Sequence, residues 1–126
     1  MTGAENEDPA VAGKAAALSL KQAMGATPLK AVVISECYEG RPAKEKLLAA
    51  IASVLPKEIL LGSATYGSFT QSGCTDADSV CLLGIGGEGV GVAASLVTGL
   101  GTAKLTFQDG RSLIESRLRA AGAKLA

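Results

Sequence analysis

The stretch SVCLLGIGGEGVGVAASLV, residues 79–97, decides how this chain is read. An apolar run enters a nest of glycines in which Gly84, Gly86 and Gly89 satisfy G-x-G-x-x-G, and a second apolar run leaves it. Taken as strand, loop and helix, the segment is a dinucleotide-binding turn. The amides around Gly86 and Gly89 then face a pyrophosphate at a helix N-terminus, and Asp109 falls where a ribose-binding acid is expected. Taken as two strands joined by Gly86, Gly87, Glu88 and Gly89, it is a β-hairpin that binds nothing, because positive φ is cheap at glycine.

Three features favour the hairpin. Glu88 puts a carboxylate into a loop that would meet phosphates, where like charges repel. Gly91 would sit in the first helical turn, costing about 0.8–1 kcal/mol relative to Ala, and Val90, Val92 and Val97 add little helix propensity. A complete strand–helix–strand unit also precedes this segment, whereas a nucleotide-binding unit normally opens its domain. Residues 80–85 are therefore expected to pair antiparallel with residues 90–97, leaving Asp109 as a helix cap. The nucleotide reading stays open beside it, with Gly84, Gly86, Gly89 and Asp109 as its binding residues. Residues 84–109 also resemble the nucleotide loop of the ubiquitin-activating and molybdopterin-type adenylating enzymes.

Upstream, Asp8 and Pro9 form an N-cap and first helical position, and Gly25 precedes Pro28 at the other end. Gly13, Ala17, Leu20 and Met24 recur at helical spacing between them, predicting a helix over 9–24. LKAVVIS, residues 29–35, is a short β-branched run suited to a buried strand. Pro42 opens a second helix with Leu47, Leu48, Ile51, Val54 and Leu55 along one stripe, and Pro56 stops it. EILLG follows as a strand, giving a parallel strand–helix–strand unit. Residues 62–79 lack any period and read as a loop, with a short extended piece around 66–70. Ile114, Leu118, Ala121 and Leu125 place a closing helix near the C-terminus, with Asp109 or Gly110 near its cap.

Composition narrows the function classes. The chain has 126 residues, which suits one domain, and 48% of them are hydrophobic. Aromatics are scarce and Trp is absent, so the core is built from Ala, Val, Leu and Ile. Twelve basic residues balance twelve acidic ones without blocks of either sign, which gives no footprint for nucleic acid or an anionic membrane. The polar, acidic opening MTGAENED is unlike a signal peptide, no apolar run reaches membrane-spanning length, and a cytoplasmic location is expected. Cys37, Cys74 and Cys81 are odd in number and widely spaced, so neither a disulfide framework nor a metal site is expected. The absence of histidine removes Ser-His and Cys-His nucleophile pairs and imidazole acid–base chemistry.

The order of these pieces resembles the N-terminal domain of the FIST family, the F-box and intracellular signal transduction proteins. The likeness lies in the Ala-rich opening helix DPAVAGKAAALSLKQAMG, the strand LKAVVIS and the helix KLLAAIASVLP. It continues through EILLGSATYGSF, similar to that family's Gly–small–small–Thr–x–Gly segment, the apolar pair SVCLLGI and VGVAASLV, and the closing helix. The resemblance implies a sensory module that recognises a small molecule such as an amino acid, without catalysis and without a cofactor. Family members are longer, so a homo-oligomer or a further C-terminal part is expected to complete this chain.

The expected fold is mixed α+β: a small mixed sheet with a parallel strand–helix–strand unit followed by an antiparallel hairpin, flanked by three helices. Residues 1–8 are expected to be disordered and residues 9–126 to form one domain. GSATYG lies beyond a strand of a parallel unit, where α/β sheets collect ligands. Gly62, Ser63, Thr65, Tyr66 and Gly67 are accordingly the candidate ligand-binding residues. Cys37 reads as a small apolar filler and Glu36 as a solvated loop residue. A thiolate at Cys37 would need Arg41 or Lys44 as a positive neighbour.

Overall fold

The computed structural model describes residues 1–70, 73–75, 78–98 and 106–125. The chain divides into two compact units, Met1–Val90 and Gly91–Ala126, where one domain is expected from length. The first holds β1 (Thr2–Glu5), α1 (Pro9–Met24), β2 (Leu29–Glu36), α2 (Arg41–Ala52), β3 (Leu60–Ala64), β4 (Ser68–Thr70), β5 (Gly73–Thr75) and β6 (Ser79–Gly86). The second holds α3 (Phe107–Gly122) and a closing 3-10 turn. Among the described residues no helix is long and apolar enough to cross a membrane.

The class is mixed α+β, as expected. Among the described residues one sheet has the order β1-β6-β2-β3, and β4 and β5 form a separate two-stranded hairpin. β2 and β3 run parallel, joined through α2, while β6 is antiparallel to both β2 and β1. The local signals for α1 hold: the Asp8 carboxylate accepts from Ala10 N at 2.9 Å, Pro9 opens the helix, and Gly25 closes it at φ 54°. One face of the sheet supplies Val32, Ile34, Val80 and Leu82 to a core shared with Ala12, Ala16, Ala17 and Leu20 of α1 and Leu47 and Ile51 of α2. Small residues on α1 let the helices approach closely. A Cβ at Gly13 would stand 2.9 Å from the Leu47 carbonyl oxygen.

The expected hairpin is corrected. β6 is the first arm, but its two edges are already filled, by β2 on one side and by β1 on the other, with Thr2 opposite Leu82 and Glu5 opposite Ser79. A strand has only two edges for hydrogen bonding, so residues 90–97 cannot pair with β6 as the hairpin requires. They form neither strand nor helix; Gly87 (φ 132°) and Gly89 (φ 74°) only turn the chain out of the sheet. The expected disorder of residues 1–8 is likewise overturned, because β1 caps the edge of β6. Thr2 Oγ1 donates to Ala16 O at 3.1 Å, and Asn6 N donates to Asp78 O at 3.1 Å, tying the segment at both ends.

The glycine nest therefore serves packing. Gly84 and Gly86 lie inside β6. A Cβ on Gly84 would meet Leu29 Cδ2 at 2.9 Å and Leu20 Cδ1 at 3.1 Å, and one on Gly86 would stand 2.1 Å from Pro28 O. In the second unit the N-cap of α3 is Thr106 rather than Asp109. Thr106 Oγ1 accepts from Asp109 N at 3.2 Å, while Asp109 Oδ2 accepts from Thr106 N at 3.2 Å, a reciprocal capping box. The Thr106 hydroxyl also donates to Asp109 Oδ2 at 2.6 Å; that bond first, then the one from Thr106 N, holds the Asp109 carboxyl below the usual carboxylate range.

Candidate functional site

The carboxyl ends of β2 and β3 lie side by side, with Ser35 opposite Ser63 and Glu36 opposite Ala64. Beyond them the chain turns twice, into 37–40 and into 65–67, and the two turns face each other. Thr65 N donates to Glu36 O at 2.8 Å, which pins the second turn to the end of β2. Between them lies a cavity of about 330 Å3, lined by Cys37, Tyr38, Glu39, Lys44, Ala64, Thr65 and Tyr66.

A buried polar clamp shapes its floor. Glu36, the last residue of β2, is only 7% exposed. Its Oε1 accepts from Lys44 Nζ at 2.6 Å and its Oε2 from Tyr38 N at 2.9 Å, while Lys44 Nζ also donates to Tyr38 O at 2.6 Å. Glu36 is thus a structural anchor, not a solvated loop residue. Tyr38 turns inward and donates its hydroxyl to Asn6 O at 2.7 Å, which ties the site to the β1–α1 connection. Burial first, then the charges of Asp78, Asp8, Cys37 and Glu36, push the Tyr38 hydroxyl up to about 12. Arg41, the other cation in reach of Cys37 by sequence, is spent on Glu45 at 2.7 Å on the exposed side of α2.

Cys37 continues β2 by one residue: its N–H donates to Ser79 O at 3.0 Å, so Cys37 and Ser79 are directly opposite. The sulfur stands 3.4 Å from Ser68 Oγ and 3.6 Å from Thr65 Oγ1. Burial pushes the thiol up, as does the charge of Glu36, but the hydroxyls of Ser68, Thr65 and Ser79 outweigh both and bring it below its ordinary value. Cys81 is different. It is buried, its Sγ donates to Phe69 O at 3.1 Å, and burial pushes its thiol up. Cys74 lies in β5, and its side chain is outside the described residues.

The five candidate binding residues are divided by this geometry. Thr65 and Tyr66 line the cavity, with Tyr66 fully exposed at its mouth. Gly62 and Ser63 belong to β3 and line an adjoining groove of about 340 Å3 with Leu47, Leu48, Leu60 and Leu61. Gly62 is required where it is, since a Cβ there would stand 2.1 Å from Ile34 O. Gly67 contributes its carbonyl, which accepts from Thr65 Oγ1 at 2.8 Å. Lys44 borders both cavities.

Gly84, Gly86 and Gly89 are on β6 and its exit turn, and no helix follows them before α3 among the described residues. Asp109 belongs to the second unit. The geometry of a dinucleotide turn, strand then glycine loop then helix N-terminus, is therefore not formed. Sequence reading named Glu36 only as a solvated loop residue and Lys44 only as a neighbour for a Cys37 thiolate; Ser68 and Ser79 it passed over. The period-2 alternation of β2 was a usable signal for part of this: with Val32 and Ile34 facing the helices, Ser35 and Cys37 fall on the opposite face. Nothing local to Ser68 or Ser79 points to Cys37.

Comparison with family models, with curated proteins and with solved structures finds no match to this chain.

Proposed function

We propose that this chain is a small-molecule-sensing module of FIST N-terminal type, without catalytic activity, whose ligand is an amino acid bound at the carboxyl edge of β2 and β3. One observation carries this reading: charges of both signs and two hydroxyls border a single small cavity. Glu39 and Lys44 lie on its wall with Thr65 and Tyr66. A free amino acid carries an ammonium and a carboxylate on adjacent atoms, and a site offering a carboxylate, an ammonium and neutral hydroxyls suits both ends of it. The position agrees with where open α/β sheets take ligands, beyond the carboxyl ends of parallel strands. The resemblance in the order of the segments supports the same reading. No observation favours the nucleotide alternative, since Gly84 and Gly86 are occupied with strand packing.

The test is a thermal-shift screen of the common amino acids, with calorimetric titration of any that stabilise the protein. Thr65→Val, Tyr66→Phe and Glu39→Gln are expected to weaken binding by roughly fivefold to tenfold each, the worth of one hydrogen bond. A screen in which no amino acid stabilises the protein, or hits indifferent to all three substitutions, would refute the proposal.

A further inference from the structure

We propose that Cys37 is a covalent site, whose sulfur adds small α,β-unsaturated carbonyl compounds inside a cage of hydroxyls. The cage is assembled from three separate segments: Thr65 after β3, Ser68 at the start of β4, and Ser79 at the start of β6. Two of these hydroxyls have other acceptors. Thr65 Oγ1 donates to Gly67 O at 2.8 Å, and Ser68 Oγ donates to Ser35 O at 3.3 Å. Ser79 is the exception. It is 1% exposed, and among the described residues its Oγ is the one buried side-chain polar atom without a hydrogen-bond partner.

A buried hydroxyl left without a partner loses its hydration with nothing in return, and persists where something else is served. Ser79 is directly across the ladder from Cys37 and close enough to draw its thiol down, yet outside bonding geometry to any acceptor. It is a donor held ready for negative charge on the sulfur. The thiolate, not the thiol, is the nucleophile, and a donor that gains its partner only when the proton leaves favours that form.

The cavity defines the electrophile. It opens onto Cys37, and Lys44 on its wall, whose ammonium keeps a third N–H beyond those given to Glu36 and Tyr38 O, can receive an oxygen that gains negative charge. In the addition the thiol proton passes to water and the sulfur forms a bond to the β-carbon as the C=C π bond opens. Charge collects on the carbonyl oxygen, and the α-carbon then takes a proton from water. Nothing is oxidised and no group leaves. This chemistry is independent of the sensing proposal: the sulfur can react whether or not an amino acid binds, and an amino-acid site can exist with an inert Cys37.

The experiment uses N-ethylmaleimide on the intact folded chain, from about pH 6 to about pH 10, with peptide masses giving the rate at each cysteine separately. Cys37 is expected to react well before Cys81, with a pH midpoint below the ordinary thiol value of about 8.5. Ser79→Ala moves that midpoint up and slows the reaction at neutral pH while Cys81 stays protected, which shows that the fold is intact. If Ser79→Ala exposes Cys81, Ser68→Ala supplies the same test. The rate ratio of N-ethylmaleimide to iodoacetamide is expected to be higher at Cys37 than for N-acetylcysteine. Cys37 no faster than Cys81, a midpoint unmoved by both serine substitutions, or an unchanged reagent ratio would each overturn the proposal.

Discussion

Replacing Gly86 by Ala tests the packing account of the glycine nest. The new Cβ would stand 2.1 Å from Pro28 O, and contacts under 3.0 Å are essentially never seen, so β6 and the Pro28 carbonyl must separate by about 0.9 Å. That carbonyl accepts from Gly87 N at 3.1 Å, and this bond does not survive such a displacement. Overpacking costs about 1–3 kcal/mol and the lost backbone bond about 1 kcal/mol, so a loss of roughly 2–4 kcal/mol is expected. For a unit of this size each kcal/mol lowers Tm by about 4–8 °C. Gly84→Ala is the graded comparison. Its nearest neighbours are Leu29 Cδ2 at 2.9 Å and Leu20 Cδ1 at 3.1 Å, side-chain ends that can swing away. It should cost about 1 kcal/mol. Urea unfolding followed by circular dichroism measures both. Gly86→Ala within about 0.5 kcal/mol of wild type, or no worse than Gly84→Ala, would show that close strand approach is not what requires glycine there.

Lys44→Met removes the cation that Glu36 contacts at 2.6 Å and leaves a carboxylate with 9% side-chain exposure facing only one amide. Fully buried pairs lose about 3–5 kcal/mol on such truncation; Lys44 is about one-third exposed, so roughly 2 kcal/mol is expected, with partial recovery in Lys44→Met/Glu36→Gln. Urea unfolding of the two variants checks this, and a double mutant less stable than Lys44→Met contradicts it. The Tyr38 hydroxyl, raised to about 12 against an unfolded value near 10, gives a pH dependence whose sign is fixed. Between those values the folded state keeps a proton that the unfolded state has lost, so stability is fully present below about pH 10 and falls as pH rises toward about 12. Equilibrium unfolding across that window should show the decline in wild type and a shallower one in Tyr38→Phe; identical slopes would count against it.

Much of the frame was legible because it rests on rules that act over a few residues. Asp8, Pro9 and Gly25 mark both ends of α1, the runs at 29–36 and 60–64 are strands, and a helix between two strands makes their pairing parallel. That Thr65 and Tyr66 line a cavity beyond β3 was legible for a similar reason: loops beyond parallel strands are where such sheets open. The fate of residues 90–97 was not legible in the same way. Their β-branched run is real, but whether a strand forms depends on whether an edge is free to pair with it.

The sequence by itself determined the helices, the parallel unit, the first arm of the glycine segment and the aliphatic core, since capping, periodicity and turn chemistry are written within a dozen residues. Tertiary structure alone decided the rest. Thr2–Glu5, with no apolar run to announce it, became β1 because the open edge of β6 offers main-chain hydrogen bonds that any sequence can take. Taking that edge closed it to residues 90–97. The same pairing of distant segments brought Ser68 and Ser79 to the sulfur of Cys37. Strand pairing and side-chain cages join residues far apart in the chain, and no local pattern of residues encodes which partner will arrive.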